Sequence, residues 1–591
     1  MRNNPLVYLF SKTWHYSKGN RRNIVIYWVL LTLSECINMF MTPFVTAQII
    51  GVVTTEGITE RNIHKLYFLL SLFLVRMLTS WACHGPARVL EQLNSFLARS
   101  SYRARLLKGV MNMPLEWHTE HHSADITDKV NKGTDGLFGF AEDTFEIIKP
   151  MVKLVGCFAM IVYFNHRAAY FVGLVAIVCA LVSMRFDKAM VPQYKALTRS
   201  ENQITESIVD SVANITTVII LRVEKLIFET IMTNVMRPFA SFKRNVLLNE
   251  WKWFITSAFC DTMTVIVMVM YLREHMGTGP GVLGASVYLL LNYLQKMGEL
   301  FFQFTSKYSQ VIKSKFRVMN AEELAEDFKA QGFTNHVLPE NWRNLSIRNL
   351  NFSYYNEENG GLHLEDINLS IWRGQRIAFV GERGSGKTTL LKIMRDLYHP
   401  KSLDLYVDWQ IIPQGFEGIS RAISLVPQNP EIFGTREATI GYNMTLGVQY
   451  DQNLVERYID AVSFRDVLDK LPKGMGSGVK EKGIDLSGGE RQGLALVRGL
   501  LACHDKEILL LDEPTSSFDP VTERRVYQNI FREFAGKTII SSVHKLHLLP
   551  YFDQIYLFAR GKIVAQGTLS ELLDTSSEFQ KLWQAGTSDP D

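Results

Sequence analysis

A chain of 591 residues, 47% of them hydrophobic and only 21% charged, exceeds what one compact core holds, so at least two domains are required. The net charge of +4 is small for this length and gives no electrostatic support to nucleic-acid binding. Its six cysteines show no zinc-type or CxxC spacing and five lie in apolar stretches, which argues against a disulfide framework or a cysteine metal site.

In chain order, the first twenty-two residues carry Lys12, Lys18, Arg21 and Arg22 without a short apolar core and small-residue cleavage site, so a removable signal peptide is not expected. A membrane-crossing helix needs roughly 20 largely apolar residues. Six stretches qualify, at about 24–50, 67–87, 145–164, 168–187, 252–273 and 281–304. Short connections between them alternate with two long hydrophilic ones, about 88–143 and 188–250. Arg88, Arg99, Arg103 and Arg185 near the membrane ends place the long connections, and with them both termini, in the cytosol. Each long connection is expected to be helical and to turn back on itself, one near Met113-Pro114-Leu115-Glu116-Trp117 and the other near Asp210 to Ile215.

Within the spans, Glu35, Arg76, His84, Asp261, Lys296 and Glu299 are ionisable and therefore costly in a bilayer. Two readings stand side by side: they line a substrate path, or they pair structurally, Lys296 with Glu299 on one helix face and Arg76 with Glu35 or Asp261 across the bundle. Lys149 and Lys153 sit near a span end, where they can snorkel to the interface. The expected organisation is a six-helix, all-α transmembrane domain over 1–320, a polar linker over 321–344, an α/β domain over 345–585 and a short tail over 586–591. The α/β assignment rests on short β-type runs such as Ile377–Val380, Ile423–Val426, Ile508–Leu511 and Thr538–Ile540 alternating with helical stretches, as in a largely parallel sheet.

The chemistry lies in that second half. Gly381, Glu382, Arg383, Gly384, Ser385, Gly386, Lys387, Thr388 and Thr389 follow the apolar run Ile377–Val380 and precede a helix-like stretch. Strand, Gly-rich turn and helix start together surround a polyphosphate with unpaired backbone N–H groups and the positive end of a helix dipole, and Lys387 adds charge. Downstream, Ile508–Leu511 reads as a buried strand ending in Asp512 and Glu513, and ligands of α/β sheets gather at such strand ends. Thr388 is suited to ligate Mg²⁺ and Asp512 to hold it through water, while Glu513 is placed to polarise an attacking water. These groups suffice for ATP hydrolysis, so ATP and Mg²⁺ are the expected cofactors.

Leu486-Ser487-Gly488-Gly489-Glu490-Arg491-Gln492, between those two motifs, resembles the signature of ATP-binding cassette (ABC) ATPases, and the resemblance extends from about Leu345 to Ala585. It implies further roles. Tyr354 matches the residue that stacks on adenine, and Gln428 the loop that senses Mg²⁺. Asp519 in Ser516–Asp519 matches the segment that crosses between partners, and His544 the switch histidine. In such a family Ser487, Gly488 and Gly489 serve ATP held by the other subunit, so one chain cannot complete a site. Glu490 replaces a frequent Gln, Gly493 stands where Arg is usual, and the hairpin around Lys401 to Pro413 lacks the usual Asp-Gly turn.

Six spans ahead of the nucleotide domain resemble the exporter type of ABC half-transporter, in which the turns near Pro114 and Asp210 act as coupling helices. This implies an integral multi-pass protein of a plasma or bacterial inner membrane, with a second half-transporter chain as partner. A homodimer is the simplest assembly, and a heterodimer is the alternative. The implied function is ATP-driven export of an amphipathic or hydrophobic substrate by alternating access. The alternatives are an importer with the exporter fold, or an ATP-dependent regulator without its own cargo.

Overall fold

The computed structural model describes residues 4–164, 166–276, 280–328, 338–354, 363–428, 431–434, 438–479 and 486–587. Parts of the expected linker (329–337) and tail (588–591) lie outside the described residues. The chain divides into two compact units, Met1–Met113 with Trp117–Ala330, and Gln331–Asp591 with Pro114–Glu116.

The first unit is helical throughout its described residues: α1 (Pro5–Tyr16), α2 (Arg21–Glu56), α3 (Ile63–Met111), α4 (Leu115–Glu120, shared with the second unit), α5 (Ser123–Glu142), α6 (Thr144–Phe164), α7 (His166–Ala213), α8 (Ile215–Ile220), α9 (Glu224–Met236), α10 (Phe239–Glu274) and α11 (Pro280–Glu326). Among the described residues four stretches are long and apolar enough to cross a membrane: Arg21–Glu56, Ile63–Met111, Ala169–Ala213 and Glu224–Glu274. The remaining expected spans, 145–164 and 281–304, coincide with α6 and α11, which are described only in part at the side-chain level. Large apolar residues such as Phe68, Leu74, Leu78 and Trp81 of α3 are exposed, the arrangement a lipid solvent rewards. As expected from the sequence, the chain breaks at Asn112–Pro114 before α4 and at Asn214 before α8.

Polar side chains inside this unit find partners on neighbouring helices, as hydrocarbon requires. Between α2 and α3, Asn38 Nδ2 donates to Ser80 Oγ at 2.7 Å, and Arg76 donates to Asn38 Oδ1 and Thr42 Oγ1, both at 3.1 Å. Glu35 pairs at 3.3 Å with Lys153 of α6, not with Arg76. The carboxylate is nearer to a cation one helix away, so Lys153 neutralises a buried charge where the sequence had suggested snorkelling. Asp261 and Glu299 line one groove of about 710 Å³ along α10 and α11, together with Thr256, Thr264 and Gln295.

The second unit holds two sheets. Its strands are β1 (Asn344–Phe352), β2 (Leu364–Trp372), β3 (Arg376–Gly381), β4 (Ser402–Val407), β5 (Gln410–Ile411), β6 (Ile423–Val426), β7 (Ile508–Asp512), β8 (Thr538–Ser542), β9 (Gln554–Ala559) and β10 (Lys562–Gly567). A six-stranded sheet runs β10-β9-β3-β8-β7-β6, parallel except for its β9–β10 edge. It is buried on both faces, which explains the continuous apolar runs. Ala378, Val380, Leu509 and Leu511 pack into one core, and Ile377, Phe379, Ile508 and Leu510 into the other. A second sheet, β2-β1-β4-β5, is wholly antiparallel; its β4–β5 hairpin, around Lys401 to Pro413, is expected from the sequence, but the sheet is not. In its β4–β5 hairpin, Asp408 and Trp409 both adopt left-handed backbone, φ +46 and +70, doing without glycine what an Asp-Gly turn does with it. Asp408 Oδ1 compensates by accepting from the backbone N–H groups of Arg343 and Asn344, each at 2.8 Å.

The helices of the second unit are α12 (Lys387–Met394), α13 (Ile440–Thr445), α14 (Gln452–Ala461), α15 (Arg465–Lys470), α16 (Gly488–Cys503), α17 (Pro520–Glu533), α18 (Leu569–Thr575) and α19 (Ser577–Thr587). Parallel register sets Val426 beside Leu511, Asp512 beside Ser542 and Phe379 beside Ser542. The residues that follow the C-terminal ends of β3, β6, β7 and β8 therefore converge on one edge, where the sequence places its chemistry.

Candidate functional site

β3 ends at Gly381, the loop 382–386 follows, and α12 begins at Lys387. Two glycines are required by what surrounds them. Gly381 has φ +147 and a Cβ there would lie 2.2 Å from the Phe558 carbonyl oxygen; Gly386 has φ +107 and its Cβ would lie 2.5 Å from Leu364 Cδ2. The loop thus closes into a narrow cradle with backbone N–H groups at the start of α12. Lys387 Nζ donates to the Gly381 and Glu382 carbonyls at 2.8 and 3.0 Å. Burial lowers the ammonium below the usual lysine range, opposed by the charges of Glu513 and Asp512. Glu382, Arg383 and Gly384 are exposed on the loop, while Ser385 is buried and its carbonyl accepts from Gly561 N–H at 3.1 Å.

Thr388 and Asp512 come together across 124 residues. Thr388 Oγ1 donates to Asp512 Oδ1 at 2.9 Å and Ser542 Oγ donates to the same oxygen at 2.7 Å. Asp512 is 2% exposed, and burial raises its carboxyl above the usual carboxylate range against the pull of those two hydroxyls. A hydroxyl and a carboxylate fit Mg²⁺, which takes few protein ligands and keeps phosphate and water oxygens for the rest. No cluster of three or more His, Cys, Asp or Glu suited to a metal occurs among the described residues, so a dedicated all-protein cage has no candidate there.

Glu513 follows β7 with φ +45, a left-handed conformation uncommon outside glycine. Gln428, just beyond β6, donates from Nε2 to Glu513 Oε2 at 2.7 Å. His544 is exposed two residues after β8. Tyr354 follows β1; its hydroxyl lies 3.1 Å from Thr389 Oγ1, and its ring stands edge-on to Phe352, His363 and Tyr398. A half-exposed aromatic therefore borders the phosphate loop.

Ser487, Gly488 and Gly489 open α16. Ser487 caps it through a reciprocal box: Ser487 N–H donates to Glu490 Oε2 at 2.7 Å, and Glu490 N–H to Ser487 Oγ at 3.3 Å. Glu490, a departure from the family's frequent Gln, thus serves the helix start. Gly493 is explained as well, because a Cβ there would lie 2.8 Å from the Phe464 ring, and an Arg has no room. Asp519 caps α17 and accepts from Val521 and Thr522 N–H at 3.1 and 3.0 Å. A hydrogen bond from the Thr522 side chain first, and then these backbone bonds, hold its carboxyl below the usual range.

Gln492 closes the signature stretch and Ser542 ends β8, but neither received a role from the sequence, since their partners lie 21 to 30 residues away. Glu523 has no signal in the sequence either: buried, it accepts from Thr515 Oγ1 at 2.7 Å and pairs with Lys545 at 3.2 Å.

Two family models match the chain, the ABC transporter transmembrane region over residues 24–290 and the ABC transporter domain over 364–516. ATP-binding cassette sub-family B member 6 of Xenopus tropicalis is 24% identical over 576 residues, 94% of this chain and 65% of that protein. The same-named protein of Mesocricetus auratus is 25% identical over 81% of this chain and 56% of its own length. The chain thus spans a little over half to about two thirds of the length of these curated relatives. A solved bacterial Atm1-family ABC exporter with ATP bound shares the fold, with a TM-score of 0.86 at 19% identity, over 97% of this chain and 99% of that one.

Proposed function

Because the chain belongs to the ABC transporter family, with the family's membrane region ahead of its ATP-binding domain in one polypeptide, we propose that it hydrolyses ATP to export an amphipathic or hydrophobic substrate across a membrane. The observation that carries this reading is the convergence, at one sheet edge, of the phosphate loop, the Thr388–Asp512 pair and the Gln428–Glu513 pair.

In this reading the loop N–H groups and Lys387 bind the phosphates, and Tyr354 supports the adenine. Thr388 and Asp512, with Gln428 nearby, hold Mg²⁺, which when bound neutralises phosphate charge. Glu513 orients and polarises the attacking water. Glu513 and the signature are both present, so a homodimer forms two competent sites, each completed by Ser487, Gly488, Gly489 and Asp519 of the other copy. His544 acts as the switch residue against the γ-phosphate. Both termini and the nucleotide domains face the cytosol, and closure of the domains turns the cavity of the membrane unit from one side to the other. Asp261 and Glu299, in the groove along α10 and α11, are the residues of this unit that we assign to the cargo path.

ATPase activity of the purified chain in nanodiscs, across a panel of lipids, peptides, metal chelates and amphiphilic drugs, tests the proposal. Stimulation by one class, followed by ATP-dependent movement of that class in oriented proteoliposomes, is the expected result. An ATPase indifferent to every class favours a regulator, and uptake toward the nucleotide domains favours an importer.

A further inference from the structure

Glu513 is gripped at each of its polar ends. Its N–H donates to Ser542 Oγ at 3.0 Å, its carboxylate accepts from Gln428 at 2.7 Å, and its carbonyl accepts from Gln492 Nε2 at 3.0 Å. A left-handed backbone at a non-glycine residue costs roughly 1 kcal/mol or more and persists only where its surroundings over-determine it. Three side chains from separate parts of the fold provide that over-determination, together with Ser516 N–H, which donates to the same carbonyl at 3.3 Å.

Gln492 differs from the other two in where it comes from. It lies in the second turn of α16, the helix capped by Ser487, and is 5% exposed. Its amide is fully used within one short stretch: besides the Glu513 carbonyl, Nε2 donates to Ser516 Oγ at 3.0 Å, and Oε1 accepts from Ser517 N–H at 2.7 Å. The same stretch is held from its far side, where Lys545 Nζ donates to the Phe518 carbonyl at 3.0 Å. The carboxylate, the signature helix and the segment 516–519 are thus hydrogen-bonded into one piece.

We infer that Gln492 is a positioning residue for ATP hydrolysis: it fixes the backbone of Glu513, and with it the aim of the carboxylate, relative to the helix that begins at the signature. This rests on the hydrolytic reading above. Among the described residues Gln492 forms no hydrogen bond with loop 382–386 or Tyr354, so its loss acts mainly on turnover, and nucleotide affinity changes only through the signature helix and Asp519.

The test compares Gln492→Leu and the isosteric Gln492→Glu in the full-length chain in nanodiscs. Three quantities are read: kcat, affinity for a non-hydrolysable ATP analogue, and thermal midpoint. Gln492→Glu keeps the acceptor for Ser517 N–H but has no proton to donate to the Glu513 carbonyl. Both variants are expected to lose about tenfold or more in kcat, a barrier change of about 1.4 kcal/mol, with affinity unchanged within about twofold. Wild-type turnover in Gln492→Glu overturns the inference, because the Ser517 contact alone then suffices. A parallel fall in kcat, affinity and midpoint also overturns it, leaving a merely structural glutamine. A wild-type chain that binds the analogue but hydrolyses nothing overturns the functional reading itself, and the inference with it.

Discussion

The membrane unit and the phosphate-loop edge of the second unit treat buried charge differently, although Glu523 in that second unit is paired with Lys545 at 3.2 Å much as Glu35 is with Lys153. In the membrane unit the buried Glu35 carboxylate is answered by a cation, Lys153, and Glu91 by Arg88 at 2.5 Å. In the nucleotide domain Asp512 and Glu513 receive hydrogen bonds from hydroxyls and an amide, while Lys387 donates to carbonyls and to Ser385 Oγ. Neutralised pairs are what a low-dielectric scaffold needs. Carboxylates held by neutral donors keep their charge uncommitted, which is what the Mg²⁺ and the attacking water of the proposed function need.

Substitutions can break this contrast. The largest effect is expected for Lys153→Met, which strands Glu35 and should destabilise the membrane unit by about 3 kcal/mol. Adding Glu35→Gln should recover most of the loss, as read by thermal unfolding of the full chain in nanodiscs. Asp512→Asn should act with the opposite sign. The amide oxygen still accepts from Thr388 and Ser542 while the buried charge is gone, so the nucleotide domain should gain about 1 kcal/mol as turnover is lost. If Asp512→Asn destabilises the domain as Lys153→Met does the membrane unit, the contrast fails. The smallest effect is expected for Glu490→Ala, which removes one half of the α16 capping box and should cost about 0.5 kcal/mol, visible as faster hydrogen exchange in the first turn.

What the sequence disclosed and what it hid follow from the range of the interactions involved. The phosphate loop is a contiguous strand, turn and helix start, and Asp512-Glu513 ends a strand whose five residues are all buried, so both were readable locally. The capping partner of Ser487 lies three residues on, within the signature itself. Other features depended on register. Lys153 lies 118 positions from Glu35, and nothing in a span of apolar residues marks which helix faces which. Ser542 became a partner of both Asp512 and Glu513 only because β8 pairs in parallel with β7. Of the antiparallel sheet, the hairpin around Lys401 to Pro413 was readable and the alternation of β2 is itself a strand signal, but the pairing of both with β1 depends on register that no local pattern specifies.

The central claim, that Glu513 at this sheet edge drives ATP turnover while the loop and Lys387 hold the nucleotide, is tested most directly by Glu513→Gln. Nucleotide affinity and steady-state ATPase are measured on the same nanodisc preparation. The account predicts ATP bound with wild-type affinity and turnover reduced by two to three orders of magnitude, about 3–4 kcal/mol in the barrier. Hydrolysis at the wild-type rate, or loss of binding together with turnover, would contradict it.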